Sequence, residues 1–66
     1  MTYGELILIE RRRKKLNQSD VAKLIGVNPA TIVDIELCRI AITEDECRRI
    51  IGCIAAVDMD LEAIPA

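Results

Sequence analysis

The chain has 66 residues, a net charge of −2 and a hydrophobic content of 52%, with one Tyr and no Trp, Phe or His. This length fits one domain over residues 1–66 with a small core, which must be aliphatic. The lack of His removes the commonest general base and metal ligand, so we expect no enzyme, no metal site and no other cofactor.

The chain also lacks features of membrane and secreted proteins. No uncharged run is long enough to cross a bilayer. The three cysteines have no CxxC spacing and follow no signal peptide. We therefore expect a cytoplasmic protein with reduced thiols and no membrane partner.

Charge is distributed unevenly along the chain. Residues 1–25 carry six basic and three acidic side chains, a net charge of +3, whereas residues 26–66 have a net charge of −5. The acidic total argues mildly against a free-standing DNA-binding domain. Any polyanion should nevertheless meet the first half of the chain.

The first predicted helix covers residues 3–15. Thr2 and Glu5 have the spacing of a capping box at its start. The helix ends in the basic run 11–15. This run is either a solvated face, with cations placed favourably at a helix C-terminus, or a patch that contacts phosphates.

Two short helices are predicted next, at 18–25 and 29–37, with a tight turn between them. Asn17 is the expected cap of the first of these helices, and Gly26 supplies the positive φ that ends it. Asn28, followed by a proline, is a typical start for the helix at 29–37. Asn is a favoured N-cap residue, and a proline at the first helical position costs no hydrogen bond, because the N–H there has no partner within the helix.

A fourth helix is predicted at 44–56, after a capping box formed by Thr43 and Glu46. A short helical turn is predicted at 59–63, before a proline. Nothing in the chain has the pattern of a strand. The expected fold class is therefore all-α, with four to five short helices.

The stretch LNQSDVAKLIGVNPATIVDIE, residues 16–36, resembles the helix-turn-helix of the lambda-repressor-like family. These are Cro-and-repressor type (XRE-like) transcription regulators of phages and bacteria. The similarity runs from about Glu5 to Leu61 and includes the V-A-x-x-x-G-V turn and the I-x-x-I-E ending. Arg11 and Glu36 match a structural ion pair common in the family; the alternative is two unrelated surface charges.

The resemblance implies that the third helix lies in the DNA major groove and that the second crosses the backbone. The residues that this assigns to DNA, together with the two cations chosen from the basic run, are Arg12, Lys15, Gln18, Asn28, Ala30, Thr31, Val33, Asp34 and Arg39. The sequence departs from the family pattern in two ways. The third helix lacks the Arg, Lys, Asn and Gln that usually read bases, and Cys38 replaces the usual Gly after it.

Two functions are consistent with these features. The first is a small DNA-binding transcription regulator, a repressor that binds a double-stranded operator as a homodimer. The expected dimer surface consists of Ile51, Ile54, Val57, Met59 and Leu61, unless these residues serve one monomer core.

The second function is a protein-interaction module with a helix-turn-helix fold, such as an antirepressor or an adaptor that binds another regulator. It is favoured by the acidic pI, the apolar third helix and the surplus of apolar side chains, since an exposed apolar patch implies a partner. The surplus residues are Leu6, Leu8, Ile9, Leu37, Ile40 and Ile42.

Overall fold

The structure, a computed structural model, describes residues 1–57 and contains four α-helices in that range. They are α1 (Tyr3–Arg13), α2 (Gln18–Ile25), α3 (Pro29–Glu36) and α4 (Glu44–Ala55). No strand occurs among the described residues, and the all-α prediction is confirmed. The helical turn predicted at 59–63 lies outside the described residues.

Three of the four helices begin with a reciprocal capping box. In each, the cap side chain accepts from the backbone N–H three residues later, and the side chain of that residue accepts from the backbone N–H of the cap. The pairs are Thr2 with Glu5, Asn17 with Asp20, and Thr43 with Glu46. The boxes at Thr2 and Thr43 and the cap at Asn17 were predicted from the sequence; the reciprocal bond to Asp20 was not.

Asn28 is the exception, because its side chain makes no capping hydrogen bond, although its backbone has the extended conformation of an N-cap. The expected side-chain cap is therefore wrong. The N–H of Thr31, which such a cap would accept from, donates to the backbone carbonyl of Asn28 at 2.9 Å. The amide of Asn28 is left exposed at the start of α3.

Helix α1 ends two residues before the predicted boundary. Lys14 is its C-cap and Lys15 adopts a left-handed backbone with φ of 58°. The N–H of Lys15 donates to the carbonyl of Arg12 and that of Leu16 to Arg11, both at 3.0 Å. These bonds satisfy carbonyls of the last turn, and their formation requires the left-handed residue.

Helix α3 ends one residue before its predicted boundary, and Cys38 then takes a left-handed conformation with φ of 61°. Cys38 thus adopts the backbone that Gly would supply at this position, at a cost of about 1 kcal/mol for a residue with a Cβ. The chain leaves α3 in the conformation that a glycine would allow.

The core is aliphatic, as predicted, and is drawn from all four helices. Its buried hydrophobic residues are Ile7, Val21, Ala22, Ile32, Ile35, Cys47, Ile50 and Ile54. Ile54, assigned to a dimer surface from the sequence, is 0% exposed. That assignment is corrected, because Ile54 lies with Cys47 and Ile50 on the side of α4 that is buried in the monomer core.

Gly4 permits a close approach of α1 to α3 that the sequence did not reveal. It is buried in the first turn of α1. A Cβ at this position would overlap the carbonyl oxygen of Ile35 and lie 3.0 Å from that of Glu36. The backbone of α1 therefore lies directly against the end of α3, which fixes the position of that helix end.

Candidate nucleic-acid interface

The pairing of α2 with α3 depends on the turn between them. Gly26 has φ of 77°, and its N–H donates to the carbonyl of Ala22 at 2.8 Å. The N–H of Val27 donates to the same carbonyl at 2.9 Å. A left-handed Gly of this kind closes α2 and redirects the chain at once into α3. Val21 and Ile32 are both fully buried, so the two helices are held by core packing as well as by the turn.

An ionic network joins α1, α2 and α3 behind this unit. Arg11 donates from Nε to Glu36 Oε2 at 2.8 Å and from Nη2 to Glu36 Oε1 at 3.0 Å. Its Nη1 donates to the carbonyl of Leu16 at 3.1 Å. Gln18 Nε2 donates to Glu36 Oε1 at 3.1 Å. The side chains of Arg11 and Glu36 are only 11% and 5% exposed, so the charges are largely removed from water.

This network assigns Gln18 a role that its sequence position did not indicate. The resemblance placed Gln18 at a phosphate contact, and in the structure its amide N–H₂ group is directed to Glu36. The signal available in the sequence was the Arg11–Glu36 match alone. A third member from α2 could be found only from the tertiary structure, because 18 residues separate Gln18 from Glu36.

Helix α3 leaves one face uncovered in the described part of the chain. Ile32 and Ile35 point into the core, and the residues on the opposite side are Ala30, Val33, Asp34 and Leu37, by helical spacing. Leu37 is 57% exposed and was not among the predicted site residues. The face offers three apolar side chains and one carboxylate.

Asp34 and Arg39 are brought together at the end of this face. Arg39 Nη1 lies 3.6 Å from Asp34 Oδ1. The backbone N–H of Arg39 donates to the carbonyl of Asp34 at 2.7 Å, which holds the two residues next to each other. Both side chains are partly exposed, so the pair is screened by solvent and contributes little to stability. Its effect is to cancel the negative charge of the face.

The remaining predicted residues of this region lie on different sides of α3. Asn28 and Ala30 are exposed at its N-terminal end. Thr31 is half-buried and lines an open, mainly apolar groove of about 520 Å³ together with Ile40, Ile42 and residues of α4. Thr31 therefore belongs to the flank of α3 and not to its uncovered face.

The structure divides the basic run into paired and unpaired cations. Arg11 is committed to Glu36, and Arg13 Nη1 lies 3.1 Å from Glu10 Oε1. Lys14 Nζ donates to the carbonyl of Val57 at 3.0 Å, which ties the end of α1 to the end of α4. Arg12 and Lys15, both exposed, are the two cations of the run whose side chains make neither an ion pair nor a hydrogen bond within residues 1–57. These are the two residues of the run that the sequence analysis assigned to DNA.

The predicted dimer residues are only partly described. Ile51, in the second half of α4, and Val57, just after its C-cap, are half-buried, and Ile51 packs against the edge of the core. Met59 and Leu61 lie outside the described residues. Of the predicted dimer residues in the described range, Ile51 and Val57 therefore remain available for contact with a second copy, and Ile54 does not.

The cysteines offer no catalytic or metal-binding arrangement within the range described. Cys47 is buried, and burial, with a smaller contribution from Glu44, raises the pKa of its thiol. Cys38 and Cys53 are exposed free thiols, and Cys38 Sγ lies 3.4 Å from Thr2 Oγ1. No group of His, Cys, Asp or Glu side chains in residues 1–57 could hold a metal ion. In the same range no helix is long and apolar enough to cross a membrane.

Comparison with known proteins gives one match. A family model described as Helix-turn-helix matches residues 7–58, which is most of the chain. The matched range includes α2, the Gly26 turn, α3 and the uncovered face. No curated protein and no solved structure matches the chain.

Proposed function

Since the chain belongs to the lambda-repressor-like helix-turn-helix family of DNA-binding transcription regulators, we propose that it is a repressor of phage or bacterial type. It binds a double-stranded operator as a homodimer. The observation that carries this proposal is the uncovered face of α3. It presents small and apolar side chains at a width that a major groove accepts, next to a cation, Arg39.

In this proposal α3 enters the major groove and several polar groups around it contact phosphates. The exposed amide of Asn28 lies at one end of α3 and Arg39 at the other. Arg12 and Lys15 extend the positive surface, since no ion pair within residues 1–57 occupies them. Gln18 lies at the start of α2, and its bond to Glu36 fixes that end of α2 against α3.

The homodimer would use the end of α4. Ile51 and Val57 are half-buried in one copy, and the sequence continues with the apolar residues Met59 and Leu61. Burying such side chains against a second copy would add hydrophobic area that a 66-residue chain lacks by itself. Two copies would also present one α3 face to each half-site of a symmetric operator.

Titration of the protein against duplex DNA from its own upstream region, at two salt concentrations, tests the DNA-binding proposal. Affinity should fall steeply as salt rises, because each phosphate contact releases counterions. Arg12→Ala and Lys15→Ala should each lower the slope of log K against log salt by about 1. Arg48→Ala is the matched control, since Arg48 lies on α4 and pairs with Glu44 at 2.6 Å. A duplex-binding constant that does not depend on salt would contradict the proposal.

Sedimentation of the same protein tests the dimer separately. The wild type should sediment as two copies, and Val57→Asp should shift it to one copy, because a charge would then have to be buried at the interface. Sedimentation as a single copy at the concentrations at which DNA binds would contradict the homodimer.

A second function, an antirepressor or adaptor that binds another regulator, is favoured by the apolar surface next to α3. Leu37 is 57% and Ile40 is 39% exposed, beside the open groove that Ile40 lines. Apolar side chains exposed together on so small a protein are typical of a protein-binding surface. Asp34→Arg separates the two functions. It should strengthen the sequence-independent part of duplex binding if α3 faces DNA, because a cation then replaces an anion near the phosphates, and it should abolish binding to a protein partner if α3 faces protein.

A further inference from the structure

We infer that Asp34 is the base-selecting residue of this protein and that it selects cytosine, with thymines favoured at the neighbouring positions. The inference rests on the proposed function, because it requires that α3 enters the major groove. It concerns the class of operator sequence, about which a helix-turn-helix fold alone carries no information.

The side chains on the uncovered face of α3 exclude the commonest kinds of base recognition. It consists of Ala30, Val33, Asp34 and Leu37. Guanine presents two acceptors in the major groove and is read by Arg or Lys, and adenine is read by the paired donor and acceptor of Asn or Gln. None of these four side chain types occurs on the face, so neither purine can be read in the usual bidentate way.

The carboxylate of Asp34 is the one hydrogen-bonding side chain on this face, and it only accepts. Cytosine offers an N4 amino group in the major groove with no acceptor beside it on the same base. Adenine offers N6 next to the N7 acceptor, which would repel a carboxylate, and thymine offers only the O4 acceptor. An ionised Asp therefore discriminates in favour of cytosine.

The position of Asp34 in the fold indicates that this residue does not serve to stabilise α3. Asp34 lies in the last turn of α3, which contains no basic residue. An acidic side chain near a helix C-terminus is unfavourable, because the carbonyl ends carry partial negative charge. Arg39 Nη1 at 3.6 Å offsets this charge, and it also reduces the repulsion that Asp34 would meet between phosphates. Arg39 acts here as a positioning residue.

The apolar neighbours of Asp34 define the bases on either side. Ala30 precedes it by one helical turn, Val33 is adjacent and Leu37 follows by three residues, all on the same face. Apolar side chains in the major groove pack against the C5 methyl group of thymine. The preferred site is thus a cytosine flanked by thymines on one strand.

Selection from a library of randomised duplexes tests this inference, with the full chain and three proteins compared: wild type, Asp34→Asn and Asp45→Asn. Asp45 is an exposed acid in the first turn of α4, so its substitution matches the charge change away from the α3 face. Wild type should enrich cytosine at one position of each half-site, with thymines beside it. Replacing that C·G pair by T·A should weaken binding roughly fivefold or more.

The two variants should then differ in a predictable way. Asp34→Asn should move the preference at that position from cytosine to adenine, whose N6 and N7 match the amide, whereas Asp45→Asn should retain cytosine. Retention of cytosine by Asp34→Asn, or enrichment of guanine by wild type, would overturn the inference. Salt-dependent binding of wild type without any base preference would overturn it while leaving DNA binding itself intact. Failure to bind any duplex would overturn both.

Discussion

Replacement of Glu36 by Gln tests whether the ionic network holds the three helices together. Glu36 Oε2 accepts from Arg11 Nε at 2.8 Å, and Oε1 accepts from Arg11 Nη2 and Gln18 Nε2. A Gln keeps the shape and one acceptor but turns the other oxygen into an N–H₂ group. That group would then face a donor of Arg11, and the guanidinium would lose its counter-charge.

The burial of the pair sets the expected magnitude. The side chains of Arg11 and Glu36 are 11% and 5% exposed, so solvent can recover little of the lost interaction. Removing one partner of a buried ion pair costs about 3–5 kcal/mol, because a desolvated charge is left without compensation. A chain of this length has a total stability of roughly 3–10 kcal/mol. Glu36→Gln should therefore remove a large share of it.

Urea denaturation followed by far-UV circular dichroism is the suitable assay, since the chain has no Trp. With a slope of about 1 kcal/mol per M for a protein of this size, the midpoint should fall by roughly 3–5 M or the variant should be unfolded without urea. Glu44→Gln is the matched control. It removes the surface pair with Arg48, whose side chains are 59% and 74% exposed, and should cost no more than about 1 kcal/mol.

Equal costs for Glu36→Gln and Glu44→Gln would refute the reasoning, since the Glu36 pair is buried and joins three helices, whereas the Glu44 pair is exposed and lies within one helix. A double replacement of Arg11 by Met and Glu36 by Leu sharpens the test. Apolar residues of similar size can substitute for a buried pair with little loss of stability. The double variant should be more stable than Glu36→Gln alone, because it leaves no unpaired charge.

Three further predictions concern packing, backbone conformation and pH. Gly4→Ala should lower the unfolding free energy by about 2 kcal/mol or more, because its Cβ would overlap the backbone of α3. Gly52→Ala, at a helical position with open space, should raise the unfolding free energy by roughly 0.5–1 kcal/mol. Equal effects of the two Gly→Ala variants in urea denaturation would contradict the close approach of α1 to α3. Cys38→Gly should raise the Tm by several degrees, since φ of 61° is costly for a residue with a Cβ, and an unchanged Tm would argue against backbone strain there. Glu46 accepts from the Thr43 backbone N–H, which lowers the pKa of its carboxyl below the ordinary value of 4.5. The stabilisation that ionised Glu46 gives the folded state is complete above about pH 4.5 and is lost as the pH falls through the lowered pKa. Glu46→Gln should therefore reduce the loss of stability at acid pH. An unchanged dependence of stability on pH would contradict a stabilising capping box at Thr43.

The sequence by itself determined the local features of this protein. Capping residues, the left-handed glycine at the end of α2 and the Asn-Pro start of α3 each act within about four residues, so their chemistry can be read along the chain. The motif spacing was sufficient to identify the family.

The tertiary structure decided which side chains are available for function. The basic run looks uniform in the sequence, but folding commits Arg11 to Glu36 and Lys14 to the carbonyl of Val57, and leaves Arg12 and Lys15 unpaired among residues 1–57. These partners come from distant parts of the chain, and no short-range rule predicts them.

The same holds for the close approach at Gly4 and for the placement of Ile54 in the core. Both depend on how two helices cross, which is set by the packing of many side chains at once. Local chemistry therefore determined the helices and their turn. Which side chains remain exposed was decided only when those helices packed, because pairing and burial are properties of residues brought together from distant positions in the chain.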